Sequence, residues 1–175
     1  RKTRVYVTQN QDPNSRRNFT PTFVRQNQLV YGNGSDNIFN GLSPFRNFQC
    51  SSLVYYTRYV KDVLKGPEGR YNFILVPGTV PQRYIPTPDR GGNFYIEAEN
   101  VQNSDLEADY IVAHFAILYP EPIPRAEVYI YGKFADWQLL PELKMDYDAK
   151  NKAYVGQAEL KQPDTSHQIR RACST

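Results

Sequence analysis

The stretch 126–138, AEVYIYGKFADWQ, which opens on a two-residue alternation directly behind a proline cluster, constrains this chain more than any other feature. Val128, Ile130 and Gly132 fall on one side, and Glu127, Tyr129, Tyr131 and Lys133 on the other. Successive side chains of an extended backbone point to opposite faces, so this period predicts a half-buried β-strand. The alternation breaks at Gly132-Lys133-Phe134-Ala135-Asp136-Trp137, a turn that ends on the only tryptophan. Before it stands Pro120-Glu121-Pro122-Ile123-Pro124. Proline has no N–H to give to a sheet ladder, so this cluster predicts a hinge over 120–125 and a domain boundary there.

The rest of the chain points the same way. Its 14 tyrosines and 9 phenylalanines favour pleated sheet. Each also buries a large area, which offsets a hydrophobic content of 40%. With 13 prolines and 10 glycines, short strands and many turns are expected in place of long helices. Strands are predicted over 1–9, with Val5 and Val7 inward, and over 22–31, 45–49, 53–62, 70–76, 93–99, 107–119, 145–147 and 153–160. Lys65-Gly66-Pro67-Glu68-Gly69 is a hairpin turn that pairs 53–62 with 70–76, while 10–20 and 77–92 read as loops. The near-continuous apolar run Tyr110–Leu118 predicts a central strand buried on both faces. Segment 139–143 is a loop or a single helical turn, and 163–175, PDTSHQIRRACST, is an atypical tail without alternation. Turn signals about every ten residues, with no alternation of strands and helices, indicate an all-β antiparallel sandwich up to Tyr119.

Composition excludes several functions. A net charge of +3 is mild and by itself implies no nucleic-acid or membrane-surface partner, because such binding needs a clustered patch. No apolar run reaches the length that spans a bilayer, so direct membrane insertion is not expected. Cys50 and Cys173 are too few for a disulfide framework, and their spacing fixes no connectivity. The chain begins at Arg1 with neither methionine nor signal peptide and reads as the interior of a longer precursor.

No stretch carries a catalytic device, a cofactor motif or a metal-ligand spacing, and the expected protein is not an enzyme. Glu97 and Glu99 share a strand face at a separation of roughly 7 Å by strand rise, but nothing encloses them. Asp105, Glu107 and Asp109 lack the glycine-turned loop of a calcium site. His114 lies inside the apolar run and reads as a satisfied interior histidine. Arg16, Arg17 and Arg25 form a small basic patch that fits a solvated loop. Trp137 with Tyr129 and Tyr131 could form an aromatic platform for a sugar ring or a protein partner. The commoner use of such a tryptophan is to anchor a loop to the sheet.

Several stretches, in order, resemble one family. They are Val5–Asn10, Val24–Tyr31, Asn37–Gly41, Phe45–Phe48, Glu107–Tyr110, Val128–Phe134 through Trp137, and Tyr154–Gln162. Together they are similar to a Bacteroidetes family once listed as a domain of unknown function and now named for the plug protein of the type IX secretion system. That resemblance implies a non-catalytic protein of the periplasm or cell envelope, built of immunoglobulin-like β-sandwich domains and acting by contact with an envelope protein partner. Arg25 and Arg46, beside Asn27 and Phe48, recur in the family motifs, and their guanidinium forks are expected to brace backbone carbonyls between loops. The segment 126–162 also resembles the first half of an early-set immunoglobulin-like domain of the glycogen-binding kind, through Tyr131–Trp137, Met145 and Tyr154. This implies a partial second domain and, as an alternative function, a glucan-binding module using Trp137, Tyr129 and Tyr131. At Pro163 the chain departs from both families.

Overall fold

A computed structural model describes residues 3–9, 12–32, 38–39, 45–54, 56–57, 59–79 and 92–173. The chain divides into two compact units, Arg1–Leu42 and Ser43–Thr175. The expected boundary at 120–125 is therefore not where it divides.

In the first unit, β1 (Val5–Val7) pairs antiparallel with β2 (Arg17–Phe19). Val5 and Val7 are half-buried and Tyr6 is exposed, as the alternation predicts. The ring of Phe19 packs on Tyr31 and Phe39 at centroid distances of 6.4 and 6.0 Å. The expected loop over 10–20 contains both β2 and a single 3₁₀ turn, Pro13–Ser15. Asp12 caps that turn by accepting the Asn14 N–H at 2.8 Å, and Pro13 presets its first φ. The strand expected over 22–31 is instead a hairpin, β3 (Phe23–Arg25) and β4 (Gln28–Val30). The chain reverses at Gln26-Asn27, where Gln26 takes φ +35°.

The second unit is the sandwich. Its strands are β5 (Phe45–Gln49), β6 (Val60–Lys65), β7 (Tyr71–Leu75), β8 (Gly78–Thr79), β9 (Phe94–Ile96), β10 (Tyr110–Leu118), β11 (Ala126–Tyr131), β12 (Lys144–Asp148), β13 (Ala153–Lys161) and β14 (Pro163–Cys173). A one-turn helix, α1 (Ser104–Glu107), precedes β10. The ladder runs β5-β14-β11-β12-β13-β10-β7-β6, with β9 on β14 and β8 on β10. β12 bends between two layers. Val128 and Tyr129 of β11 pair with Met145 and Lys144, whereas Asp146–Asp148 pair with β13. One layer thus holds β9, β5, β14 and β11, and the other β13, β10, β8, β7 and β6. Between them lies the core, where Phe48 of β5 meets Phe115 of β10 edge-on at 5.3 Å, with Ile130, Phe73 and Ile111 fully buried. An all-β sandwich is the fold that the aromatic and proline content predicts.

Several expectations need correction. β10 is central, between β13 and β7, but only Ile111, Ala113, Phe115 and Ile117 are buried; the alternate residues are half-buried or exposed. Its pairing with β7 and β8 is parallel, so the sheet is mixed. The 53–62 strand begins only at Val60. The atypical tail over 163–175 is not an appendage: Pro163–Cys173 is β14, flanked by β5 on one side and by β9 and then β11 on the other. The partial early-set unit over 126–162 is not a separate domain, because β13 pairs with β10 over nine residues.

The proline cluster is a crossover between layers. Prolines end β10, as predicted, but tyrosines pin the connection. The Tyr154 hydroxyl accepts the Ile123 N–H at 2.7 Å, and the Tyr147 hydroxyl donates to the Tyr119 and Pro120 carbonyls at 3.2 and 2.9 Å. No helix of the described residues is long and apolar enough to cross a membrane.

Candidate functional site

The turn after β11 does not present its aromatics to solvent. Trp137 is 6% and Tyr131 1% exposed. Their rings meet edge-on at 5.5 Å, and Trp137 also meets Phe45 at 6.2 Å. Trp137 takes φ +59°, which swings the indole back over the layer. Gly92, two residues before β9, lies against it: a Cβ there would stand 2.3 Å from indole Cη2. Lys133 donates its N–H to the Gly92 carbonyl at 2.9 Å. The tryptophan is therefore the anchor of a loop. Tyr129 is half-buried and donates to Glu127 at 2.7 Å, while Lys144 donates to the same carboxylate at 2.5 Å. Lys144 first, and then Tyr129, hold Glu127 below the usual carboxylate range. Trp137, Tyr131 and Tyr129 do not form one open platform, and the two-residue period fails at Tyr131 because the turn folds back over its ring.

The acidic candidates are dispersed. Glu97 and Glu99 lie beyond the end of β9, and their backbone N–H groups bond to the Gln162 and Ser51 carbonyls. Asp105 and Glu107 belong to α1, where Glu107 accepts the Asn103 N–H in a capping arrangement. Asp109 is joined to Gln162 through its backbone. His114 is half-buried and hydrogen-bonds Asn72 at 2.9 Å, a satisfied histidine as predicted. It sits in an outer groove of mixed charge with Lys61, Glu142, Lys144, Asp146 and Gln157.

The four family-motif residues occupy two places. Arg25 and Asn27 are exposed at the tip of the β3–β4 hairpin, and among the described residues the Arg25 guanidinium braces no carbonyl. The Arg46 guanidinium, on β5, donates to the Thr79 carbonyl of β8, which joins two strands and not two loops. Gly78 makes this approach feasible, since a Cβ there would stand 2.1 Å from Arg46 Nη1. Phe48 is core, 2% exposed.

Arg46 opens onto a cavity of about 290 Å³, lined also by His167, Tyr59, Leu75, Gly78 and Phe115. His167 is the directly paired neighbour of Arg46 across β5 and β14. Its ring is wedged edge-on against Phe48 at 5.4 Å and Phe115 at 4.8 Å. Burial, and then the Arg46 charge, push its pKa down to about 3, against a smaller opposing hydrogen bond to the Arg46 backbone, so the ring is neutral at neutral pH. Sequence reasoning missed His167 because it stands in the segment read as a tail. The signal that leads to it is the Arg46–Phe48 motif on the neighbouring strand.

No family model matches the chain, and no curated protein matches it. A crystal structure of a hypothetical protein from Parabacteroides merdae superposes with a TM-score of 0.86 at 24% identity, covering 98% of this chain and 43% of that one. The chain thus spans less than half the length of that neighbour. The likeness shows that this all-β sandwich fold recurs in a protein of the Bacteroidetes.

Proposed function

We propose that this chain is part of a non-catalytic cell-envelope protein that works through contact with another envelope protein, as the likeness to the type IX plug family implies. The observation that carries this reading is the β3–β4 hairpin. Phe23 and Val30 share one face and Val24 and Leu29 the other, and all four are exposed, Phe23 at 61% and Val24 at 70%. An isolated two-stranded hairpin is marginal in water. One carrying apolar side chains on both faces gains from a partner that covers it, by about 1.5–3 kcal/mol for each such side chain fully buried. Pull-down from envelope extracts tests it. The chain is expected to capture an envelope protein that a Phe23→Ser/Val24→Ser variant releases. Capture of none, or equal capture by both chains, overturns the reading.

A further inference from the structure

We propose that the cavity beside β8 binds a small carboxylate, whose charged group is held by Arg46 and whose apolar body lies against Leu75 and Phe115. A guanidinium stays charged in a protein. Removing it from water is unfavourable unless an opposite charge or hydrogen bonds replace the lost solvent. Arg46 is half-buried and feels that desolvation. Yet among the described residues its hydrogen-bond acceptor is the neutral Thr79 carbonyl, and the ion pairs Arg70–Glu159, Lys133–Asp136 and Lys144–Glu127 leave it out. Of its five donors the remaining fork matches a carboxylate in two parallel bonds.

His167 supplies a second, independent sign. The residue is 6% exposed, and its Nδ1 is buried with no hydrogen-bond partner among the described residues. Buried polar atoms are as a rule paired. Direct partners on antiparallel strands hold their Cβ atoms about 5 Å apart, and both side chains line the same cavity. The hydrogen bond to the Arg46 backbone takes the neutral ring's one N–H, so Nδ1 is an acceptor that a hydroxyl of the ligand can fill. Because this ring is neutral, Arg46 supplies the site's charge. One positive charge suits one carboxylate, not a dianion or a cation. The walls of Leu75, Val76, Phe115 and Ala116 suit an apolar body, and about 290 Å³ is at the small end of ligand pockets. The site is independent of the hairpin and of the protein-contact reading.

The test titrates the whole chain with benzoate and, in parallel, with benzamide, its neutral isostere, following heat and backbone amide shifts. Benzoate is expected to saturate with a Kd of about 1 mM or tighter. Shifts should centre on Arg46, Gly78 and His167. Benzamide should bind at least about tenfold more weakly, and Arg46→Gln should lose benzoate binding by a similar factor. The benzamide arm uses the unaltered chain, so a folding defect in the variant does not decide the matter. Absence of saturable benzoate binding, equal affinity for benzoate and benzamide, or shifts confined elsewhere would each overturn the proposal.

Discussion

Two glycines in the second unit share a backbone conformation and differ in what surrounds them. Gly69 and Gly92 both take φ +82°. A Cβ on Gly69 meets nothing within 4 Å, whereas one on Gly92 would stand 2.3 Å from Trp137 Cη2 and 2.6 Å from Phe45 Cε1. An L side chain in the left-handed region costs about 1–2 kcal/mol, and this is the whole expected effect of Gly69→Ala. Gly92→Ala carries the same backbone strain plus an overpacking cost of about 1–3 kcal/mol, because the clash is with aromatic ring atoms held by the core. The total is about 2–5 kcal/mol. For a chain of this size the two variants should differ in Tm by about 2–12 °C. Thermal melting by circular dichroism measures the difference. Emission of the single tryptophan should shift in Gly92→Ala and stay unchanged in Gly69→Ala. Equal losses of Tm, with an unchanged indole spectrum, would refute the argument that Trp137 is clamped by Gly92, just before β9.

Three further outcomes are expected. Tyr154→Phe removes the acceptor for the Ile123 N–H and should cost about 1 kcal/mol in denaturant unfolding, a test of whether the proline crossover is pinned. Gln162→Ala strips the buried amide that accepts the Asp109 N–H at 2.8 Å and donates to the Ser51 carbonyl at 3.2 Å; leaving those groups unpaired should cost about 1–3 kcal/mol for each. The pKa of His167, about 3 when folded against an ordinary value near 6.5, makes stability depend on pH. Above pH ~6.5 the ring is neutral in both states. Below it the unfolded chain takes up a proton that the folded chain refuses, so stability falls by up to about 1.4 kcal/mol per pH unit. Melting between pH 7.5 and 4.5 should show this slope, and His167→Gln, which keeps Arg46 beside it, should flatten it.

What could be read from the sequence follows the range of the forces involved. β10 was legible as a strand from its apolar run and β11 from its two-residue alternation, because both signals are local and strong. The turn over 65–69 was legible because glycine and proline mark reversals by their own backbone preferences. β14 was not. Pro163, Asp164, Thr165 and His167 are all buried, and of these only Thr165 has the propensity of a strand. Their strand state is imposed by ladders on both sides, from β5 on one and from β9 and β11 on the other, which is tertiary context overriding propensity. Pro163 is tolerated because it is the first residue of the strand. The β3–β4 hairpin was read as one strand because Gln26-Asn27 contains no glycine. Cys50 is free and buried. About ten strand residues, or roughly 33 Å of backbone rise, separate its neighbour Pro163 from Cys173, a span no single disulfide bridges. At the site, Arg46 and Phe48 were found through the family motif. Trp137 was correctly weighed as a loop anchor, and His167 was out of reach because its meaning depends on a strand far away in the chain.

The position of β14 also sets the order of events during synthesis. The side chain of Gln162, just before it, reaches the Cys50 carbonyl across 112 positions, and β14 joins β5 to β11. A ribosome must therefore release almost all of this segment before the first layer can zip shut. Until then β5 and β11 have bare edges. Late, long-range closure of this sort slows folding and leaves a window in which chaperones, or a second nascent chain offering an extended segment, compete for the vacant slot.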